Sequence, residues 1–73
     1  MPFLSLLSLR RLAKECKVKR ISRDALEELR FLLEGEAKEI ATAAVEFCSF
    51  AGRRTVLARD VRLALKKLRR DVR

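Results

Sequence analysis

The side chains of this 73-residue chain that are suited to chemistry are cationic rather than catalytic. Basic residues and hydroxyl groups fall together in two short segments, KRIS at residues 19–22 and GRRT at residues 52–55. Guanidinium and ammonium groups beside hydroxyls suit the binding of phosphate, and the free N–H groups of a helix N-terminus add to that binding. Taken alone, either segment is a weak indication of an anion site.

The charge is strongly segregated along the chain. Residues 1–23 carry seven basic groups and one acidic group, residues 24–51 carry two and seven, and residues 52–73 carry nine and two. The formal net charge is +8, and both ends are basic while the middle is acidic. This segregation predicts a surface that collects polyanions at particular places.

The composition argues against a catalytic or metal-dependent function. The chain has no histidine and no tyrosine, and no residues have the spacing of a nucleophile with its general base. A chain this short also has little room for a ligand pocket of several hundred Å³. We therefore expect no enzyme activity, no cofactor, no metal site and no small-molecule substrate.

The cysteines and the apolar segments indicate the cellular compartment of the protein. Cys16 and Cys48 lack the spacing of a metal site or a disulfide framework, so we interpret both as buried, apolar cysteines in a reducing compartment. No segment approaches the roughly 18 apolar residues of a membrane span. The opening MPFLSLLSL lacks the basic start and the cleavage site of a secretory signal. These features favour the cytoplasm.

The spacing of apolar residues predicts three helices joined by two basic loops. The helices cover about residues 4–16, 23–51 and 58–70, with brief extended pieces in the loops. Ser22 is a good N-cap for the second helix, and Gly52 is placed to end it in the left-handed conformation. The fold class is therefore all-α, with a long central helix between two short ones.

The central helix is too long for one short chain to cover. At 1.5 Å per residue it runs to roughly 40 Å, which exceeds the width of a compact chain of about 70 residues. A second copy of the chain is the simplest partner for its apolar stripe. The residues expected in the core of that dimer are Leu26, Leu29, Leu33, Ala37, Ile40 and Ala44.

The first helix is amphipathic, with leucines on one face and Arg10, Arg11 and Lys14 on the other. This pattern is also typical of a packing helix with solvated charges, or of a helix that lies on a membrane surface. A membrane-surface peptide would show little helix without lipid. We disfavour it because the positive charges continue past the helix into the loop.

Three segments together resemble the histone fold, and most closely the archaeal histones. They are KRIS, the centre AKEIA at residues 37–41, and AGRRTV at residues 51–56 followed by Arg59, Asp60 and Val61. The last segment, placed one long helix after KRIS, is the most specific. The resemblance covers residues 4–68 and implies a single histone-fold domain over residues 1–73.

The resemblance implies an intertwined, head-to-tail dimer that binds, bends and compacts double-stranded DNA in the nucleoid with little sequence preference. The first loop of one chain would lie beside the second loop of its partner. Arg20 matches the arginine that enters the minor groove, with the partner's Thr55 beside it. The residues expected to contact DNA are Arg11, Lys14, Lys19, Arg20, Ser22, Arg54 and Thr55.

The same resemblance gives Arg53 and Asp60 a structural role, as an intrachain pair that locks the second loop to the third helix. Lys17 stands where the family usually has a glycine that closes the first helix, which predicts a strained or different turn. Gly35 and Glu36 replace bulkier or apolar residues where the central helices would cross.

Phe50 is a further departure from the family pattern. Many archaeal histones have a histidine there, which joins dimers by pairing with the residue matching Asp60 in a neighbouring dimer. Phenylalanine cannot form that bond. We expect Phe47, Phe50 and Leu57 to make an apolar contact between dimers instead, giving a tetramer or an extended assembly on DNA.

A second function fits the same sequence. The chain could pair with a different histone-fold chain inside a transcription or repair complex, and Gly35 and Glu36 would suit such a partner. A chain of that kind would be insoluble or unfolded when expressed alone.

Overall fold

The computed structural model describes residues 2–69 of the chain. It contains three α-helices, α1 (Leu6–Glu15), α2 (Arg23–Phe50) and α3 (Ala58–Arg69), and no strand within the described residues. The predicted all-α order of short, long and short helix is confirmed. The extended pieces expected in the two loops form no β-structure, and residue 70, the predicted end of the third helix, lies outside the described part.

Helix α1 begins at Leu6, two residues later than predicted, because Ser5 is its N-cap. The backbone of Ser5 is extended, and its hydroxyl accepts a hydrogen bond from the Ser8 amide at 3.0 Å. This bond satisfies one of the amides that the first turn leaves unpaired. The residues before the cap are also held, since the amides of Phe3 and Leu4 donate to the Glu34 carboxylate.

Helix α2 begins after Ser22, as the sequence predicts. The Ser22 hydroxyl accepts from the Ala25 amide at 3.0 Å, and its carbonyl accepts from the Leu26 amide at 3.0 Å. Asp24 lies in the first turn, where a carboxylate interacts favourably with the helix dipole. The helix ends at Phe50 rather than residue 51, because Ala51 and Gly52 form the closing turn.

The chain divides into two compact units, and the division falls within α2 between Glu36 and Ala37. In the first unit the buried apolar residues are Leu9, Ala13 and Leu26. In the second unit the buried cluster consists of Ala43, Ala44 and Ala64, with Ile40 and Phe47 packed against it. Each unit thus has a small core, and the core of the second is built mainly from alanine.

Candidate nucleic-acid interface

The first loop, residues 16–22, begins with a Schellman closure of α1. The Val18 amide donates to the Ala13 carbonyl at 3.1 Å, and the Lys17 amide donates to the Lys14 carbonyl at 3.0 Å. This pattern requires a left-handed residue in the closing position, and Lys17 has φ 66°. The expectation of a strained turn at Lys17 is confirmed, since a side chain there crowds the backbone in a way that glycine does not.

The first loop ends at the Ser22 cap, so both of its ends are held by hydrogen bonds. Lys19 and Arg20 lie between these ends with exposed side chains, and neither is paired with a carboxylate within the described residues. Arg23, one residue beyond the cap, differs because its Nε donates to the Glu27 carboxylate at 3.2 Å. The cations that this loop offers to a ligand are therefore Lys17, Lys19 and Arg20, of which Lys19 and Arg20 are the predicted DNA contacts.

Two further predicted DNA contacts lie on α1, in the same unit as the first loop. Arg11 and Lys14 are exposed and three residues apart, so they share a face of the helix. Leu9 and Ala13 are buried on the side that packs inward. The structure thus groups five of the predicted residues in the first unit: Arg11, Lys14, Lys19, Arg20 and Ser22.

The second loop, residues 51–57, begins with the same Schellman closure, now at the end of α2. The Gly52 amide donates to the Ser49 carbonyl at 2.9 Å, and the Arg53 amide donates to the Cys48 carbonyl at 3.1 Å. Gly52 is left-handed with φ 73°, as predicted, and glycine takes this conformation without steric cost. The two basic loops therefore leave their helices by the same geometry.

Arg53 and Asp60 fasten the second loop to α3. The guanidinium donates two parallel hydrogen bonds to the carboxylate, at 2.8 and 2.9 Å, and Asp60 is only 1 % exposed. The same carboxylate accepts from the Leu57 amide at 2.8 Å, which caps the first turn of α3. Two hydrogen bonds hold the pKa of Asp60 far below its usual range. The larger effect comes from the Arg53 guanidinium and the smaller one from the Leu57 amide.

Of the two cysteines expected to be buried, Cys16 is exposed and only Cys48 is buried. Cys48 also holds this loop in place, which the sequence interpretation missed. Its thiol lies 3.2 Å from both the Arg53 and the Thr55 carbonyl oxygens, and the residue is only 3 % exposed, so the thiol donates to the loop backbone. The Thr55 carbonyl also accepts from Arg53 Nη1 at 3.0 Å. The signal in the sequence was a cysteine in the last turn of α2, just before a loop whose carbonyls need donors.

The hydrogen bonds of Arg53 and Cys48 determine which side chains of the second loop can reach a ligand. Arg53 is committed to Asp60 and to the Thr55 carbonyl. Arg54 and Thr55 have exposed side chains, and Arg54 is not paired with a carboxylate within the described part of the chain. The second unit thus presents one arginine and one hydroxyl on a rigidly held loop.

The residues predicted to form a dimer core fall into two classes. Leu26 and Ala44 are 0 % exposed within the single chain, so they already belong to the cores of their own units. Leu29, Leu33 and Ile40 are half-buried and Ala37 is exposed, so these side chains retain surface for a partner.

The three residues predicted to join dimers also differ in exposure. Phe50 is 91 % exposed and Leu57 is 38 % exposed. Phe47 is half-buried, and the Lys67 ammonium lies 5.9 Å from the centre of its ring. Phe50 is therefore the largest apolar surface of this set.

Within residues 2–69, no helix is both long enough and apolar enough to cross a membrane. The same residues contain no group of three or more histidine, cysteine, aspartate or glutamate side chains placed to hold a metal ion.

A long capped helix between two short ones, with arginine-bearing loops at its ends, defines a histone-fold protein. Residues 6–65 match the family described as histone-like transcription factor (CBF/NF-Y) and archaeal histone. The chain belongs to this family, which confirms the resemblance.

Two relatives illustrate the similarity. The chain is 46 % identical over 56 residues to a subunit of the archaeal histone HAN1 from Thermococcus zilligii, covering 77 % of this chain and 84 % of that protein. It is 42 % identical over 60 residues to histone H4 of Euplotes crassus, covering 82 % of this chain and 56 % of that histone. The family consists of structural DNA-binding proteins, so this chain is a DNA-binding, dimerising histone-fold protein of chromatin and not an enzyme.

Proposed function

We propose that the chain bends and compacts double-stranded DNA with little sequence preference, acting as a homodimer. The observation that carries this proposal is the placement of two exposed arginines, Arg20 and Arg54. Each lies on a loop that is held at both ends by hydrogen bonds, and neither is paired with a carboxylate within the described residues. A fixed loop presents a cation without the entropy cost of ordering it on binding. Cations in fixed positions favour contacts with the phosphate backbone, and such contacts carry no information about the base sequence.

The dimer follows from the apolar surface that one chain leaves uncovered. Among the described residues, the only large aliphatic side chains that are buried are Leu9 and Leu26, while many others are exposed. A core this small is marginal for a chain of this length. A second copy would cover the surfaces that remain on Leu29, Leu33, Ala37 and Ile40. The 73 residues of each chain would then form a single histone-fold domain.

In such a head-to-tail dimer, the first loop of one chain lies beside the second loop of the other. Arg20 would then enter the minor groove next to the partner's Thr55, while Lys19, Ser22 and Arg54 contact phosphates. Arg11 and Lys14 of α1 would extend the interface along the backbone. This is the mode of histone octamers, in which arginines enter the minor groove and no base is read specifically. We place the protein on the nucleoid, in the cytoplasm.

The test is the affinity of Arg20→Ala for several unrelated duplexes over a range of salt concentrations. Affinity should fall on every sequence, and the slope of log K against log salt should decrease by about 0.9 for each phosphate that is no longer neutralised. Arg23→Ala is the matched control, because Arg23 is also exposed but is paired with Glu27. An Arg20→Ala protein with unchanged affinity and slope would remove Arg20 from the interface.

Compaction has its own test, which is nuclease digestion of the protein–DNA complex. Protected fragments of a single short length would indicate isolated dimers. A regular series of longer fragments would indicate tetramers or open-ended assemblies on DNA.

The second candidate is a protein that pairs with a different histone-fold chain. It is favoured by the family description, which includes transcription factors, and by a relative whose name makes it one subunit of a histone. Expression of the chain alone separates the two functions. A soluble, folded dimer supports the homodimer, whereas an insoluble or unfolded chain that is rescued by a second histone-fold chain supports the heterologous pair.

A further inference from the structure

Helix α3 carries a row of cations that the DNA interface described above does not use. Arg59, Arg62, Lys66 and Arg69 are spaced three or four residues apart and are all exposed. This spacing places them on one face of the helix, over a length of about 15 Å. We refer to these four residues as the outer basic face of α3.

The outer basic face is directed away from α2. The opposite side of α3 carries Asp60 and Ala64, which are buried, and Ala64 belongs to the core cluster with alanines of α2. Lys67, next to the row in sequence, turns toward α2 instead, where its ammonium lies 3.5 Å from the Glu46 carboxylate and near the ring of Phe47. The basic residues of α3 are thus divided between a packed side and an outer side.

Two features of the outer basic face oppose the stability of the helix. Arg62 and Lys66 are four residues apart, and like charges at this spacing repel each other along a helix. Arg59 lies in the first turn, where the helix dipole disfavours a cation. Within the described part of α3 the only acidic residue is Asp60, which is buried and bound to Arg53. Lys66 and Arg69 lie in the last turn, where the dipole favours a cation, so the folding of α3 accounts for these two residues but not for Arg59 or for Arg62 beside Lys66.

The negative charges of a bound polyanion would relieve the repulsion between these cations. We propose that the outer basic face of α3 binds the phosphates of a second DNA duplex, so that the protein joins two duplexes. A duplex carries one negative charge for about every 1.7 Å of its axis, so a 15 Å row of cations faces several phosphates.

This inference rests on the proposed function, in which the loops and α1 bind the first duplex. The test is a two-duplex capture assay, in which protein is bound to an immobilised duplex and a labelled second duplex is then added. The variant is Arg62→Gln with Lys66→Gln, since glutamine has nearly the same helix propensity and removes the repelling pair. The charge-matched control is Arg23→Gln with Lys38→Gln, which removes two positive charges from exposed residues of α2, outside both α3 and the first interface.

The wild-type protein should capture the second duplex. The α3 variant should bind the first duplex within about threefold of the control but capture at least about tenfold less of the second, because two phosphates of that duplex are no longer neutralised. Helix content measured by circular dichroism should be the same in all three proteins. This combination of results would support the proposal.

Four results would overturn this inference, and a fifth would overturn the proposed function as well. Capture that is unchanged in the α3 variant would exclude the outer basic face, and equal loss in the control would show only an effect of net charge. Capture that is abolished by Phe50→Glu but not by the α3 variant would show that two duplexes are joined by contacts between copies of the chain. A protein that binds one duplex but captures no second one refutes this inference alone, whereas a protein that binds no DNA refutes the proposed function as well.

Discussion

Arg53 and Asp60 are joined by two parallel hydrogen bonds, from Nη1 to Oδ2 at 2.8 Å and from Nη2 to Oδ1 at 2.9 Å. Oδ2 also accepts from the Leu57 amide, so one buried carboxylate connects the second loop to the first turn of α3. The planar fork of an arginine suits this two-point contact, and lysine could not reproduce it. The pair therefore sets the position from which Arg54 and Thr55 meet a ligand.

The first prediction concerns Asp60→Asn and its dependence on pH. Because folding lowers the pKa of Asp60, its ionised form stabilises the fold fully above the unfolded pKa of about 3.9, and this stabilisation is lost as the pH falls through the folded value. The variant should be less stable than wild type at pH 7, and the difference should shrink below about pH 4. Urea unfolding at pH 7, 5 and 3 measures the difference.

The matched control is Asp24→Asn, which removes an exposed carboxylate from the first turn of α2. Asp24 has no arginine partner among residues 2–69, so its effect at pH 7 should be smaller than that of Asp60→Asn. A difference between wild type and Asp60→Asn that stays constant from pH 7 to pH 3 would contradict the electrostatic account of this pair.

The second prediction concerns the Cys48 thiol, compared in Cys48→Ser and Cys48→Val. Serine keeps a donor for the Arg53 and Thr55 carbonyls, whereas valine keeps the volume and removes the donor. The valine protein should lose about 0.5–1 kcal/mol of unfolding free energy and show weaker DNA binding, because the part-buried loop carbonyls lose a hydrogen-bond donor. Denaturant unfolding and duplex affinity are the measurements. A serine protein that binds DNA less well than the valine protein would exclude this role.

The third prediction concerns Lys17 at the closure of α1. Lys17→Gly should raise the unfolding free energy by up to about 1 kcal/mol, because glycine takes the left-handed conformation at φ 66° without steric cost. Lys17→Ala removes the same charge but keeps Cβ, so it should give no such gain. Equal stabilisation by both substitutions, measured by thermal unfolding, would assign the effect to charge instead of backbone strain.

The sequence predicted the helices well because the signals that set them are local. The helix order is correct, and the start of α1 differs by two residues only because the Ser5 cap was overlooked. Ser22 and Gly52 were identified as cap and stop because each works through its own backbone and its immediate neighbours. The strained or different turn at Lys17 was expected instead from the resemblance, in which a glycine stands at this position, and Lys17 is left-handed.

The sequence predicted less where two elements pack together. Much of the stripe on α2, including Leu26 and Ala44, was assigned to a dimer core, and these two residues are already fully buried inside their own units. Periodicity shows which face of a helix is apolar but not which neighbour covers each part of it. Likewise, the interaction of Cys48 with the second loop depends on how that loop folds back over α2, and spacing alone does not reveal it.

The fourth prediction concerns Gly35, near the middle of α2. A Cβ atom built at Gly35 meets nothing within 4 Å in the single chain. Gly35→Ala should therefore raise the unfolding free energy by about 1 kcal/mol through helix propensity. A loss of stability that grows as the protein is diluted would instead show that a partner helix approaches Gly35 closely. Denaturation at two protein concentrations distinguishes these results.

The last prediction concerns Phe50, whose side chain is 91 % exposed at the end of α2. An aromatic ring in water is an unfavourable surface, and with Leu57 it offers an apolar contact for another dimer. Without DNA, the wild-type protein should therefore sediment as species larger than a dimer at high concentration, and Phe50→Glu should return it to a dimer. Phe31→Glu is the matched control, since Phe31 is 73 % exposed in the other unit and is not expected at this contact. A wild-type protein that stays dimeric at all concentrations, and is unaffected by Phe50→Glu, would mean that dimers associate only through DNA or not at all.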